Sequence, residues 1–279
     1  MCIVAISWQV MDELPLLLLS NRDEFYARPT QALHYWAEDD IFAGKDLQQS
    51  GTWLGTTKNG RWAVITNFRE IDKKDYPTSR GDLVKNYLTS SLSPMQYAKQ
   101  LQSIQQNYAG FNLIIGDQKQ AVYLSNRGEQ PVALANGVYI LSNGLLSSVW
   151  HKSEHLRKRL AQELLPVAQC MQHCPDELMS NIYPIAMDIL QDNRQLADEL
   201  LPDTGVGYAW EKQLSSTFIA TENYGTRCSN IIAINNKHLT WYEVTQHGEQ
   251  QGDIATIDYD IDEDEYDFSV MKSRPNPYL

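Results

Sequence analysis

Cys2 is the residue of this chain with the shortest route to chemistry. If the initiator Met1 is removed, position 2 becomes the first residue, and one residue then carries both a thiol and a free α-amine. The Cys side chain is small enough for methionine aminopeptidase to act. A free thiol titrates near ~8.5 and an α-amine near ~7.7–8.0. At neutral pH a useful fraction of the amine can therefore accept the thiol proton, directly or through water. This is the amino-terminal form of an activated nucleophile. The bland alternative is a Cys opening a buried strand, where free Cys commonly sits.

Other polar residues fall where predicted strands end, and they suit the same chemistry. Arg22 or Arg227 can hold a thiolate by charge, and Asp23 can accept from an α-ammonium. Asn67 and Asn143 can donate to a developing oxyanion, although each is also an ordinary turn residue.

The elements that must position these groups can be read in order. Residues 2–10 and 16–20 read as a hairpin around Asp12-Glu13-Leu14-Pro15, which returns Asn21–Glu24 to the neighbourhood of Cys2. Period two places Asn21 and Asp23 on one face and Arg22 and Glu24 on the other. Residues around Pro29 and 34–36 read as an irregular loop. Strands are predicted at 51–57 and 61–67 about Asn59-Gly60, the strongest short hairpin signal. Helices follow at 81–91 and 94–106, the second with Ser93 as N-cap and Pro94 at its first position. Short strands are predicted at 111–116, 120–125, 131–135 and 138–142. A long helical stretch spans 150–200, broken near Cys174-Pro175 and Pro184, and strands return at 216–221, 228–234 and 239–245. Without strict β-α-β alternation, this order reads as α+β with mostly antiparallel sheets.

Composition removes several classes. The net charge is −12, and nine carboxylates with no Lys or Arg lie between Glu249 and Asp267, leaving about −3 on the remainder. An acidic chain without a basic stripe is a poor nucleic-acid binder, and the acidic run reads as a solvated face or tail. No apolar run approaches the roughly 20 residues of a membrane span. The apolar run at 14–19 lacks the flanks of a secretory signal. Four cysteines in 279 residues make a disulfide scaffold an unnatural reading and point to a reduced, cytoplasmic setting. We read 1–279 as one domain with an acidic C-terminal segment at 249–279.

Motif order adds a resemblance. The string Asn21-Arg22-Asp23-Glu24 through Thr30 comes with Cys2, Gly51-Thr52-Trp53-Leu54-Gly55 and Thr66-Asn67-Phe68-Arg69. Gly110-Phe111-Asn112-Leu113, Leu141-Ser142-Asn143 and Tyr224-Gly225-Thr226-Arg227-Cys228-Ser229 follow. Together they strongly resemble the NRDE family, which includes the transport and Golgi organisation protein 2 proteins, as far as about residue 246. More distantly, the layout is similar to the cysteine N-terminal nucleophile hydrolases of the choloylglycine hydrolase, penicillin V acylase and acid ceramidase group. That similarity implies a four-layer αββα sandwich, cleavage of a non-peptide amide, and Cys2 as nucleophile with Arg22 and Asp23 beside it. Asn67 and Asn143 would bind the oxyanion or the substrate amide, and Arg227 would be the late-sequence arginine. In those hydrolases the Arg and Asp are separated; here they adjoin, so presenting both to Cys2 calls for a bulge or turn at 21–23.

The expected function is therefore amide hydrolysis through a Cys2 thioester, on a small-molecule amide or acyl substrate. Asn21, Trp53 and Phe68 are candidates for substrate contact, and Tyr26, Tyr35, Trp36 and Trp150 are further aromatics for an apolar acyl pocket. Neither a metal nor a cofactor is expected on this reading. The alternative is a non-catalytic protein of the same fold that carries haem or lipid, since the family has been linked to haem trafficking. Cys174-Pro175 beside His173 is the element that haem contact would use. Nothing in the sequence speaks to oligomeric state.

Overall fold

The computed structural model describes residues 2–71, 74–235, 237–248 and 250–261. Met1, whose removal the chemistry requires, lies outside them, as does most of the acidic tail. The first sheet has six strands in the order β10-β1-β2-β11-β12-β13, with β1 at Cys2–Trp8, β2 at Leu16–Phe25, β10 at Gly137–Leu141, β11 at Tyr224–Ile234, β12 at His238–His247 and β13 at Gln250–Asp260. The second has seven: β3 (Thr30–Trp36), β4 (Ile41–Asp46), β5 (Leu54–Thr56), β6 (Trp62–Asn67), β7 (Phe111–Gly116), β8 (Ala121–Ser125) and β9 (Val132–Ala133), in that order. Every pairing is antiparallel.

Alternation along β1 shows why the sheets face each other. Val4, Ile6 and Trp8 join Leu16 and Leu18 in a core shared with Trp62, Val64 and Leu113 of the second sheet. Ile3, Ala5, Leu17 and Leu19 point the other way, against Leu156, Leu160, Ile182 and Ile189. A strand buried on both faces must be apolar at every position, as β1 nearly is. Helices α1 (Gly81–Leu88) and α2 (Pro94–Gln102) cover the second sheet, whereas α3 (His151–Arg159), α4 (Leu165–Met171) and α5 (Pro175–Leu190) cover the first. The fold is α+β, a four-layer αββα sandwich.

Several expectations change. The stretch expected as an irregular loop at 29–36 is β3, disguised by a register shift between Gln31 and His34, and β4 follows it. Residues 216–221 do not form a strand; only an Ala220–Gly225 bridge exists there, while Thr217 turns its carbonyl to Asn21. Instead β11 starts at Tyr224. Pro184 lies inside α5 without breaking it. Leu160–Leu164 forms a π-turn before Pro166, which lacks the N–H an α-turn would use. The acidic segment is in part a strand: Ala255, Ile257 and Tyr259 of β13 pack on the core, while Thr256, Asp258 and Asp260 face solvent. Carboxylates along such an edge also discourage pairing with another chain. At the second helix, Ser93 and Gln96 form the reciprocal capping box.

Trp62 packs directly over Gly116, where any Cβ would overlap the indole. Gly116→Ala is therefore expected to cost about 1–3 kcal/mol, measured as a lower urea midpoint at unchanged m-value.

Candidate active site

The β1–β2 register pairs Cys2 directly with Arg22. Cross-strand partners share a face, so Arg22 and the Cys2 side chain both point between the sheets. Arg22 is 4% exposed. Its guanidinium lies 4.1 Å from the Trp53 ring centre, donates to Thr30 Oγ1 at 3.1 Å and pairs with Asp46 at 3.5 Å. Asp46 also holds Arg28 at 2.7 Å. Trp53 reaches this position because Gly44 leaves no side chain in its path.

No bulge forms at 21–23. β2 runs extended through Phe25, and the register shift falls on β11, between Thr226 and Cys228. Asp23 consequently sits on the helix side, where Thr226 Oγ1 donates to its carboxylate at 2.8 Å. It still bears on the nucleophile, because its backbone N–H acts to hold the Cys2 thiol down against burial. Arg22 thus serves Cys2 with a side chain and Asp23 with the main chain, which resolves how adjacent residues can both reach one thiol.

Burial pushes the Cys2 thiol up and the nearby Asp23 carboxylate adds to this; Arg22 and the Asp23 N–H act against it. Burial also raises the Asp23 carboxyl, opposed first by Lys152 and then by the Thr226 hydroxyl and Arg69. Lys152 is pulled down to about 8 by burial, against the attraction of Asp23. These charges form a compact group beneath the thiol. Arg69 pairs with Glu211 at 2.7 Å, both nearly fully buried, and lies 4.9 Å from the Trp150 ring centre. Arg80, also within electrostatic reach of Cys2, donates to the Gly110 carbonyl at 3.0 Å.

The expected asparagines meet across the seam of the sheets. Extending the Val4–Leu141 register by two residues brings Asn143 level with Cys2. The Asn143 amide donates to the Asn67 carbonyl at 2.8 Å, and its own carbonyl accepts from the Arg69 N–H at 2.7 Å. Asn67 is half-buried at the end of β6, followed by half-buried Phe68. Asn21 and Arg227 are placed elsewhere. Asn21 is fully buried on the helix side, donating to Leu190 O and Thr217 O at 2.7 and 2.9 Å. Arg227 clamps the carbonyls of Phe25, Tyr26 and Arg28 at 2.9–3.2 Å, so it shapes the turn that follows the tetrad.

The aromatics do not gather into one pocket. Trp53 and Trp150 lie on guanidinium groups, and Tyr35 packs on Phe42 at the surface. A cavity of about 470 Å³ opens instead beside Glu70, Tyr76, Tyr108 and Arg127. Cys170 and Cys174 are exposed, and Cys174 simply precedes the start of α5. Among the described residues no group of three His, Cys, Asp or Glu is placed to hold a metal, and no helix is long and apolar enough to cross a membrane.

Sequence reasoning missed Lys152, Arg69, Glu211 and Arg80. Lys152 left a trace: it is in helical phase with Leu156, Leu160 and Leu164, so a lysine occupies an apolar stripe. The partners of Arg69 and Arg80 are distant in sequence and left none.

Two measurements follow. Near neutral pH, iodoacetamide should alkylate exposed Cys170 and Cys174 before Cys2, with Cys2 gaining as pH rises; Arg22→Gln should slow Cys2 further by removing a charge that favours thiolate. Peptide mapping reads the order. Glu211→Gln should cost about 3–5 kcal/mol in urea unfolding, because it strands a buried guanidinium.

The chain is similar to known proteins over most of its length. The family model for Transport and Golgi organisation 2 matches residues 1–248. The human Transport and Golgi organization protein 2 homolog is 32% identical over 242 residues, covering 82% of this chain and 85% of that protein. The Drosophila melanogaster Transport and Golgi organization protein 2 is 26% identical over 254 residues, covering 84% and 87%. Among solved structures, a mutant conjugated bile acid hydrolase from Clostridium perfringens aligns over 92% of each chain, with a TM-score of 0.43 and 11% identity. On the strength of the family match and these identities, the chain belongs to the Transport and Golgi organisation 2 family.

Proposed function

We propose that the chain is an N-terminal-cysteine amidohydrolase, acting on a non-peptide amide of a small molecule once Met1 is removed. The observation that carries this reading is the cross-strand pairing of Cys2 with Arg22. Cys2 is half-buried, and the Arg22 charge and the Asp23 N–H both favour its anion against the cost of desolvation.

In the proposed cycle the freed α-amine takes the thiol proton, and the sulfur attacks the amide carbonyl to form a C–S bond. The tetrahedral oxyanion accepts from the Asn67 carboxamide, while Asn143 fixes that residue through its backbone carbonyl. As the C–N bond breaks, the α-ammonium returns its proton to the leaving amine. Water then attacks the thioester, the C–S bond breaks, and a carboxylic acid and the free thiol are released. Arg22 stabilises the thiolate, Asp23 orients the ammonium, and Arg227 keeps the turn after the tetrad in place. Trp53 and Phe68 flank the approach, and Asn21 braces β2 from below. A cytoplasmic location belongs to the same reading, from the sparse cysteines of the sequence.

The test is a screen of N-acyl amides, lactams and thioesters against mature protein whose loss of Met1 is verified by intact mass. Cys2→Ala should abolish turnover, and rapid acid quench should trap an acyl group on the Cys2 peptide. Turnover that survives Cys2→Ala defeats the reading.

A further inference from the structure

The stretch from Asn21 to Thr30 holds two arginines, Arg22 and Arg28, and the structure brings both to one carboxylate. Asp46 ends β4 directly across the ladder from Thr30. Its Oδ1 accepts the backbone N–H groups of Gln48 and Gln49 at 3.0 and 3.1 Å, which closes the turn after the strand. Its Oδ2 faces both guanidinium groups, Arg28 Nε at 2.7 Å and Arg22 Nη2 at 3.5 Å. The short contact is a charge-assisted hydrogen bond, and the long one lies at the edge of bonding distance. Arg28 therefore has first claim on this oxygen. The backbone of Arg28 is fixed as well, since its carbonyl accepts from Arg227 at 2.9 Å. Among the described residues, Arg22 has its ion-pair contact with Asp46 alone. Its cross-strand neighbours are two thiols, Cys2 on β1 and Cys228 on β11. Burial pushes the Cys228 thiol well above its usual range, so Cys2 is the thiol on which an unspent Arg22 charge can act.

We propose that Arg28 is a positioning residue for the nucleophile: by occupying Asp46 Oδ2 it keeps that carboxylate from closing on Arg22, and so leaves the Arg22 charge to the Cys2 thiol. The two contacts compete because they meet at a single oxygen. With Arg28 in place, Asp46 orients Arg22 from 3.5 Å without cancelling it, and Trp53 and Thr30 supply the rest of its support. Withdrawing Arg28 lets the long contact shorten into a full ion pair, and the positive charge felt by Cys2 falls. Arg227 enters the same chain, because the turn it clamps is the one that presents Arg28. On the acyl-transfer reading, on which this step rests, Arg28 sets the fraction of thiolate ready for attack without touching substrate.

The readout is the pH profile of Cys2 alkylation by iodoacetamide, mapped by peptide in full-length protein whose loss of Met1 is verified by intact mass. The charged and titratable groups around Cys2 are its own α-amine, Arg22 and Asp23 of β2, Lys152 of α3, Arg80, and Tyr224 of β11. Every variant leaves them in place. Arg28→Gln should move the midpoint up by roughly one pH unit, whereas Arg28→Lys, which keeps the cation, should stay near wild type. Asp46→Asn retains an Oδ1 acceptor for the turn and should move the midpoint down. In the double variant the Arg28→Gln shift should vanish and the Asp46→Asn midpoint remain. A shift that persists there means that Arg28 acts on the thiol directly, and it overturns the proposal. So does an Arg28→Gln midpoint equal to wild type. Should Arg28→Gln not fold, Asp46→Asn decides, and a midpoint unchanged or raised overturns the proposal. The profile needs no substrate. Midpoints that follow this cycle without any amide turnover would defeat the hydrolase reading alone; turnover with midpoints indifferent to both substitutions would defeat the Arg28 role alone.

Discussion

The pairing of Cys2 with Arg22 is the constraint from which the rest of the site follows. A strand register fixes which side chains share a face, and a slip of one residue reverses them all. Here the register is held by apolar residues on both faces of β1 and β2, from Ile3 against the helices to Val4 against the second sheet. The core that makes the sandwich thus also determines that a guanidinium, and not a carboxylate, stands beside the thiol. Packing and electrostatics are the same decision at this position.

Placing a cation between two sheets carries a desolvation cost, and the surroundings of Arg22 offset it piece by piece. Trp53 offers a π face, Asp46 a carboxylate and Thr30 a hydroxyl, so the charge is answered from three strands or segments of the opposite layer. Other contacts close the same seam. Glu243, on the first sheet, accepts the Leu33 N–H of β3 at 2.7 Å, and the Thr66 hydroxyl donates to the Ser142 carbonyl at 2.7 Å. The edge of the sandwich near Cys2 is consequently polar and mostly buried, where each hydrogen bond counts for more than in water.

The other side of the sheet follows a different logic. Asp23 faces the helix layer within electrostatic reach of Lys152, while Arg69 crosses from the end of β6 to Glu211 in α6 (Tyr208–Gln213). Alternation along β2 therefore divides the tetrad between two layers: Arg22 belongs to the interior of the sandwich, and Asn21 and Asp23 belong to the helix face. A site built through a strand in this way draws on both layers without a bulge in that strand.

Local signals carried much of the fold. The hairpin of β1 and β2, the Asn59-Gly60 turn, the Ser93-Pro94 cap and the helix break at Cys174-Pro175 were legible because each depends on neighbours in sequence; the break expected at Pro184 does not occur. β3, β4 and β13 were not. β3 hides its period behind a bulge, and β13 is a polar strand with Asp253, Asp258 and Asp260 whose inward Ala255, Ile257 and Tyr259 acquire meaning only beside β12. The site divides along the same line. The residue types at 2, 22, 23, 67 and 143 and the face occupied by each member of the tetrad follow from order and alternation. That Asn143 holds the Asn67 backbone, that Arg227 clamps a turn, and that Lys152 and Arg69 stand beneath the thiol were decided by tertiary structure alone. Those contacts join segments tens to hundreds of residues apart, and a side chain's partner across such a gap is set by how the layers pack.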